Sequence, residues 1–532
     1  MALTLNRARS WTPEKIQQRR WWTLLSICLA VTITSVDNTI MNVSLPSIVR
    51  ELGASQAQLQ WLLDSYTIVF ACLLLTMGAI GDKWGRHRTL VIGLIVFGLG
   101  SALASKATTA DELILFRGLM GIGGSLIFPS TLAILTITFG PEERPKAIGI
   151  WSAVAGIGVA LGPLAGGFLL NHFWWGSIFL VNVPLCIIAL GMTIFLVPPS
   201  KSEAHGHRLD PLGAVFSILA LVPILYAIIE IPSEGWGSRN VWMWFGGGIF
   251  FAALFIFWER RTPQPMLDLS FFRNPRFSAA SATITLNYFV MFGSTFLIVQ
   301  YFQFILGYSP IKAGVYTAPV AVGLMLTGPQ VHRFVRRFGT TKVVVSGLLI
   351  CSGVLVTYGI EAIIANEIWG FVVRIIFGVG LSLTATPATE SIMSSLPRDR
   401  AGVGSAVNDT TRQIGGALGV AVIGSIFAAR YHATMGDLSG LSSSAVEAAK
   451  NSIGRAINEA ATLPAQQAQQ LLNAASQAYV KGMQLGMWIC AGLLVLTAVF
   501  AAKFLPARAE MEHDVDHEVA AAELRSLDDG IL

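Results

Sequence analysis

Charge is what this sequence has least of. Only 13% of its 532 residues are Asp, Glu, Lys or Arg, and 53% are hydrophobic, whereas a soluble chain is roughly a quarter charged. So few charged residues cannot cover a water-facing surface, and lipid must replace water around most of the chain. The composition therefore excludes an ordinary soluble domain and predicts an integral membrane protein.

Cysteine is scarce as well, and its spacing excludes two common uses. The chain has five cysteines, all in apolar stretches and none in a CxxC pair, so neither a zinc site nor a disulfide framework is expected. The sequence also offers no nucleophile–base set, metal cluster or phosphate-binding loop. We therefore expect no enzyme activity, no metal and no cofactor. The net charge of +5 is attributed to basic cytoplasmic loops and not to nucleic-acid binding.

Long apolar runs, in contrast, recur along the whole chain. A membrane-spanning helix needs about 20 predominantly apolar residues, and we predict fourteen such helices in an all-α fold. The first run follows five basic residues but is too long for a signal peptide and lacks a small-residue cleavage site, so we expect it to remain as a helix. The predicted spans are 21–46, 59–80, 89–106, 112–138, 147–170, 177–197, 209–230, 240–258, 278–303, 311–332, 342–362, 368–393, 401–428 and 482–503.

The distribution of positive charge gives these spans an orientation. Placing the N-terminus inside puts 25 Lys and Arg residues in cytoplasmic segments and eight in external segments. Cytoplasmic loops of membrane proteins are enriched in these residues. Both termini are therefore predicted to be cytoplasmic, which requires an even number of spans.

Two short patterns occur twice, at a spacing of about 256 residues. RxxxGxG begins at Arg117 and again at Arg374, and PxxR begins at Pro141 and again at Pro397. Parallel repeats of this kind build the two halves of some transporters, and two extra spans lie between the halves here. The predicted parts are a cytoplasmic N-terminal segment 1–20, a six-helix bundle 21–197, a two-helix insertion with flanking loops 198–276, a second six-helix bundle 277–503 with an external loop 431–480, and an acidic cytoplasmic tail 504–532.

The loop predicted after the second helix reads GAIGDKWGRHRTL. Gly78 and Gly85 permit a tight turn and close helix approach. Asp82 can cap a neighbouring helix or pair with a basic residue, and Arg86 is one of the cytoplasmic cations. The pattern resembles the signature loop of the major facilitator superfamily, which implies two pseudo-symmetric six-helix bundles. The corresponding loop of the second half has His332 in place of the aspartate.

The fifth predicted helix contains a run of small residues, GVALGPLAGG. Gly158, Gly162, Gly166 and Gly167 let another helix approach closely, and Pro163 removes a backbone donor. Helix packing alone is one explanation of the run. The pattern also resembles the motif that distinguishes antiporters from symporters and uniporters in the same superfamily, which implies export against a gradient.

Three ionisable residues lie inside predicted spans of the first bundle, namely Asp37, Asp64 and Arg117. A charge at the bilayer centre costs on the order of 3 kcal/mol, so such residues are functional candidates. A rise of about 1.5 Å per residue places the three at a similar level in the outer half of the bundle. They could form a structural ion-pair network, or a carboxylate could exchange a proton with substrate, and both interpretations stay open.

The sequences around these residues resemble one branch of the superfamily. SVDNTIMNVSLP around Asp37 resembles the signature of fourteen-helix drug:proton antiporters of the QacA/EmrB type, and WLLDSY around Asp64 resembles their second helix. The segment around Arg117 resembles the conserved-arginine motif of their fourth helix. The resemblance implies that Asp37 and Arg117 couple transport to protons and that Asp37 and Asp64 contact substrate.

The thirteenth predicted helix departs from that branch, which typically offers two carboxylates there for cations. One is kept as Asp409, which the resemblance assigns to substrate binding, and Gln413 replaces the other. Arg412, three residues after Asp409, can neutralise it. The departure argues against a strong preference for divalent cations and leaves room for neutral or anionic substrates.

The resemblance as a whole implies a proton-coupled antiporter that exports lipophilic, mainly cationic drug-like compounds through the cytoplasmic (inner) membrane. Its expected partners are the drug, protons and membrane lipids, without nucleic acid, and the expected state is a monomer. The same fold could instead export an endogenous metabolite, an antibiotic or a lipid. A receptor or scaffold without transport is the alternative from another class, and the intact glycine motifs and intramembrane carboxylates argue against it.

Overall fold

The structure is a computed structural model that describes residues 11–52, 56–199, 210–263, 265–360, 367–397, 400–435, 446–447, 449–450 and 453–506. Regular structure in these ranges is helical throughout. Residues 1–10 of the predicted N-terminal segment 1–20, parts of the predicted external loop 431–480 and residues 507–532 of the predicted tail 504–532 lie outside the described residues. The α-helices with described bounds are α1 Pro13–Leu52, α2 Gln56–Trp84, α3 Arg86–Ala104, α4 Ala110–Thr138, α5 Arg144–His172, α6 Ser177–Leu180, α7 Asn182–Leu196, α8 Pro211–Glu234, α9 Arg239–Glu259, α10 Pro275–Gln300, α11 Pro310–Thr317, α12 Pro319–Thr327, α13 Val331–Phe338, α14 Thr340–Tyr358, α15 Glu367–Ser394, α16 Ala401–Thr434, α17 Ile453–Ala460 and α18 Ala465–Phe504.

Helical segments of membrane-spanning length account for all the predicted spans. Thirteen of them, among the described residues, are long and apolar enough to cross a bilayer. A further helix of 29 residues, α5, lies where the span 147–170 was predicted. The prediction of an all-α membrane protein is therefore confirmed.

The last helix is longer than predicted. It begins at Ala465, inside the segment predicted as an external loop, and runs for 40 residues to Phe504. Its added turns are rich in Ala and Gln, which have high helix propensity, and they bury one face. On that face the Tyr479 hydroxyl donates to the Leu297 carbonyl at 2.7 Å, and its ring lies 4.8 Å from that of Phe427.

Two predicted loops are also largely helical, so those predictions are wrong in detail. Helix α2 continues to Trp84, and the chain turns only at Gly85, whose φ of 106° favours glycine. In the second half, α13 occupies most of the matching segment. The span before it is divided into α11 and α12, and a proline begins each of these pieces, which is where a missing backbone donor is tolerated.

The two halves meet along two sets of helices, one around α16 and one around α5, in which α4 also contacts α16 and α15 also contacts α5. Helix α2 packs against α16, and α5 packs against α11, α12 and α13. The inserted helices α8 and α9 pack against each other, and α8 also contacts both α2 and α16. The insertion therefore covers one seam between the halves. We call the end of the bundle where α1 and α16 begin the N-terminal face; the sequence predicts that it is cytoplasmic.

Candidate functional site

Helices α1 and α4 bring two fully buried opposite charges together. Asp37 and Arg117 are each 0% exposed, and Arg117 Nη1 donates to Asp37 Oδ2 at 2.6 Å. Arg117 Nε also donates to the carbonyl of Leu62 on α2 at 3.2 Å. The three helices α1, α2 and α4 therefore meet at one ion pair.

The second oxygen of Asp37 is held from another helix. Asn182, the first residue of α7, donates to Asp37 Oδ1 at 2.8 Å and to the Ser101 hydroxyl at 3.1 Å. The ring of Tyr66 lies 4.5 Å from the Arg117 guanidinium carbon, within cation–π range. Neither Asn182 nor Tyr66 is predicted from the sequence as a site residue. An asparagine within an apolar span was the signal available for Asn182.

This arrangement can respond to a proton. Taking two charges out of water is costly, and their attraction offsets that cost only while both are charged and well bonded. Protonation of Asp37 would remove the negative partner of Arg117. The Arg117 Nη2 atom is already buried without a hydrogen-bond partner among the described residues. Protonation of Asp37 would therefore weaken a contact at which α1, α2 and α4 meet.

Asp64 is less buried than the Asp37–Arg117 pair. It lies on α2 two residues after Leu62 and is partly exposed. It is close enough to Tyr226 on α8 to interact electrostatically, and its neighbour Trp61 stacks on Tyr226 at 6.0 Å. The structure thus places Asp64 beside the insertion, and the Leu62 carbonyl and the Tyr66 ring of the same helix segment contact Arg117 of the ion pair.

Asp409 belongs to a different cluster, on α16 in the second half. It is buried, and its Oδ1 atom lies 3.9 Å from Arg412 Nη1. Arg412 Nη2 donates to the Thr389 hydroxyl at 2.8 Å, and that hydroxyl donates to Asn408 Oδ1 at 3.2 Å. The pairing of Arg412 with Asp409 that the sequence predicts is therefore present, although it is long.

Arg374, the repeat partner of Arg117, has a different environment. It is buried, and its guanidinium carbon lies 5.3 Å from the ring centre of Phe302 and 5.5 Å from that of Tyr316. Its Nε and Nη1 atoms have no hydrogen-bond partner among the described residues. The two repeat arginines therefore differ in their partners: Arg117 pairs with a carboxylate, and Arg374 lies against aromatic rings.

Asp82 connects the two halves at the N-terminal face. Its carboxylate accepts hydrogen bonds from the backbone N–H groups of Gly402 and Val403, at 2.9 and 3.1 Å, in the first turn of α16. It also accepts from Arg86 Nη2 at 2.7 Å. A carboxylate is favoured at a helix N-terminus because unpaired N–H groups and the helix dipole are exposed there.

Close backbone approach completes this contact. A Cβ atom at Gly78 would lie 2.6 Å from the Gly402 carbonyl oxygen. In the other set of helices, Gly149 of α5 and Gly328 approach so closely that a Cβ on either would overlap the other's carbonyl. The two halves are therefore in contact at the N-terminal face along both sets of helices.

The glycine motif of α5 mainly faces its own half. Gly158, Gly162 and Gly166 pack against α1, around Ser35, Thr39 and Ile40 respectively, and Gly167 packs against Ile311 of α11. Helix α5 runs without interruption across position 163, so Pro163 does not end it. The motif therefore joins α5 to the helix that carries Asp37.

The comparisons with known proteins agree with this architecture. The family model described as "Major Facilitator Superfamily" matches residues 27–420 of this chain. The proton:xylose symporter XylE superposes with a TM-score of 0.57 at 13% identity, over 93% of this chain and 97% of that one, which shows a shared fold. The chain therefore belongs to the major facilitator superfamily, and it is a multi-pass membrane transporter and not an enzyme.

Two relatives of higher sequence identity show which members of the superfamily the chain resembles. It is 35% identical to the multidrug efflux pump LfrA of Mycolicibacterium smegmatis, over 90% of this chain and 95% of the relative. It is 32% identical to the methyl viologen resistance protein SmvA of Salmonella typhimurium, over 90% and 97% respectively. The likeness extends over nearly the whole of each relative, so it covers both halves and the insertion.

Proposed function

We propose that this chain is a proton-coupled antiporter that exports lipophilic, mainly cationic drug-like compounds across the cytoplasmic membrane. The names of its relatives, a multidrug efflux pump and a methyl viologen resistance protein, support the substrate class. The N-terminal face is then cytoplasmic with both termini inside, and the working unit is a monomer.

The observation that carries the proposal is the buried Asp37–Arg117 pair. A buried carboxylate whose cationic partner lies 2.6 Å away can alternate between a charged, paired state and a neutral, unpaired state. The neutral state frees Arg117 and loosens the junction of α1, α2 and α4. Proton binding is thereby linked to the relative position of helices, which is what alternating access requires.

The remaining roles follow from position. Asp64 and Asp409 are the carboxylates that would meet a cationic substrate, one beside the insertion and one in the second half. Asp82, Arg86 and the close glycine contacts hold the halves together at the cytoplasmic side. Opening that side would admit substrate, and closing it would direct release to the outside.

Everted membrane vesicles give a direct test. A pH gradient is imposed and followed with a fluorescent amine, and ethidium or another lipophilic cation is then added. Vesicles that contain the protein should lose part of the gradient on drug addition, and vesicles without it should not. An unchanged gradient for every member of a drug panel, with folded and inserted protein, would exclude antiport of those drugs.

A further inference from the structure

Arg412 contacts aromatic rings from both halves of the molecule. Its guanidinium carbon lies 5.3 Å from the ring centre of Trp151 on α5 and 5.1 Å from that of Tyr288 on α10. Both distances are within the range of cation–π attraction, and this attraction is stronger away from water. Trp151 is fully buried and Arg412 is 7% exposed. The guanidinium therefore sits in aromatic surroundings at the interface between the halves.

The carboxylate beside this cation is only partly satisfied. Arg412 Nη1 lies 3.9 Å from Asp409 Oδ1, far longer than the 2.6 Å of the Arg117–Asp37 pair. Asn408 donates to the same Oδ1 atom at 3.3 Å. Asp409 Oδ2 and Arg412 Nε are both buried without a hydrogen-bond partner among the described residues. The buried carboxylate thus keeps an oxygen available for another donor or cation.

A carboxylate next to the faces of aromatic rings is the chemistry that recognises a planar or quaternary cation. Here Asp409 is the carboxylate, and Trp151 and Tyr288 provide the ring faces. The cation between them is the guanidinium of Arg412, which belongs to the chain itself. We propose that Arg412 is a tethered cation that occupies a substrate-cation site, and that it determines which substrate charges the site accepts. This proposal rests on the proposed function and adds a specificity-determining residue to it.

The position of Arg412 fits a role in substrate selection. It lies ten residues beyond Gly402, or about 15 Å along α16 from the contact at the N-terminal face. A substrate cation that enters must share Asp409 with Arg412 or displace it. A singly charged compound can exchange with the guanidinium without adding net charge around the carboxylate. A doubly charged compound leaves an excess positive charge, which a buried site of low polarity disfavours.

Equilibrium binding to purified protein tests this directly. The probes are ethidium, which carries one positive charge, and propidium, which carries two on the same ring system. In Arg412→Gln the ratio of propidium affinity to ethidium affinity should rise by about tenfold or more. Arg412→Lys keeps the tethered charge and should keep a ratio near that of the wild type. Arg430→Gln changes an exposed arginine of the same helix and serves as the matched control.

The double variant Arg412→Gln/Asp409→Asn tests whether the change in affinity depends on Asp409. It removes both charges together, so it also provides a test if Arg412→Gln alone fails to fold. The propidium gain should disappear in it. A gain that persists without Asp409, or a ratio that stays at the wild-type value in folded Arg412→Gln, would overturn the proposal. If only the double variant folds, its ratio of propidium affinity to ethidium affinity should stay near that of the wild type. A ratio well above the wild-type value would overturn the proposal. Binding needs no proton gradient, so failure of the antiport assay is distinguishable from failure here.

Discussion

At the scale of single residues, the Asp37–Arg117 pair has the most consequential environment. Both side chains are fully buried, and each also bonds to a third helix, Asp37 to Asn182 and Arg117 to the Leu62 carbonyl. Breaking a buried pair by removing one partner costs about 3–5 kcal/mol, because the other charge is left uncompensated. Protonation of Asp37 would therefore change the packing free energy of the helices that carry the pair.

We predict that Asp37→Asn abolishes proton-coupled efflux. An amide cannot exchange the proton, and the uncompensated Arg117 should also lower the free energy of unfolding by about 3–5 kcal/mol. The measurement is drug-induced loss of the pH gradient in everted vesicles, together with the thermal unfolding of purified protein. Asn182→Ala is the matched variant: it removes a hydrogen bond from Asp37 and keeps the carboxylate. It should lose about 1.5–3 kcal/mol of stability and retain coupling. Wild-type coupling in folded Asp37→Asn would remove this residue from the mechanism.

The sequence was sufficient to identify the charged members of these sites but not their neutral neighbours. Asp37 and Arg117 stand out because ionisable residues are rare inside apolar spans. Their pairing joins residues 80 positions apart, and the Asn182 bond spans 145 positions, so both depend on tertiary packing. Trp151 and Tyr288 are indistinguishable in sequence from residues that face lipid. Only the three-dimensional structure brings them to Arg412.

At the scale of helices, the α1–α5 contact depends on residues that have no side chain. A Cβ atom at Gly162 would overlap the Thr39 hydroxyl and lie 2.9 Å from the Ile40 backbone nitrogen. Small residues of this kind allow backbones to approach when lipid supplies no hydrophobic driving force. Since α1 carries Asp37, this packing also fixes the position of the ion pair.

We predict that Gly162→Ala destabilises the protein and reduces efflux. Overpacking at a close contact costs about 1–3 kcal/mol, which exceeds the gain of about 0.5–1 kcal/mol from replacing glycine in a helix. Gly191→Ala is the control, because a Cβ atom there meets nothing within 4 Å, and it should be neutral or slightly stabilising. Thermal unfolding and dye efflux check both variants. Equal stability of the two would show that α1 and α5 can separate without loss.

Helix existence was predictable from apolar length, while helix ends were not. The ends at Trp84 and Ala465 lie in polar sequence that hydropathy assigns to loops. In α18 the added turns are stabilised by the burial of Tyr479 against another helix, a contact that no local pattern contains. The division of the tenth span at Pro319 was signalled by proline, but a proline inside a span does not always break it. Pro129 lies within an unbroken α4.

At the scale of the whole molecule, the halves are joined at the N-terminal face by a contact centred on Asp82. Asp82 accepts two backbone hydrogen bonds from α16 and pairs with Arg86, so one side chain of the first half caps a helix of the second. An N-cap contributes about 1 kcal/mol, and a charge at the helix end adds about 0.3–1 kcal/mol or more when partly buried. These magnitudes are small enough for the contact to break during the alternating access that we propose.

We predict that Asp82→Ala shifts the molecule towards states in which this face is open. A loss of about 1.4 kcal/mol changes the ratio of closed to open molecules about tenfold. Opening can be followed with Glu142→Cys and Arg336→Cys, whose native side chains are exposed and lie 3.7 Å apart across the halves. The five native cysteines are buried, so a short bismaleimide should react at the introduced pair. Its cross-linking rate should fall in Asp82→Ala.

Asp268→Ala is the matched control for this experiment, because Asp268 also caps a helical turn, through the Ser270 N–H at 2.9 Å, but within its own segment. Its cross-linking rate should equal that of the parent. If Asp82→Ala and Asp268→Ala cross-link equally fast, the cap on α16 stabilises the helix and not the closed state. The close backbone packing at Gly78, Gly149 and Gly328 would then be the contact that holds the face closed in the cross-linking parent. The difference in cross-linking rate between Asp82→Ala and Asp268→Ala therefore measures what the Asp82 contact contributes to closing this face, separately from the glycine contacts.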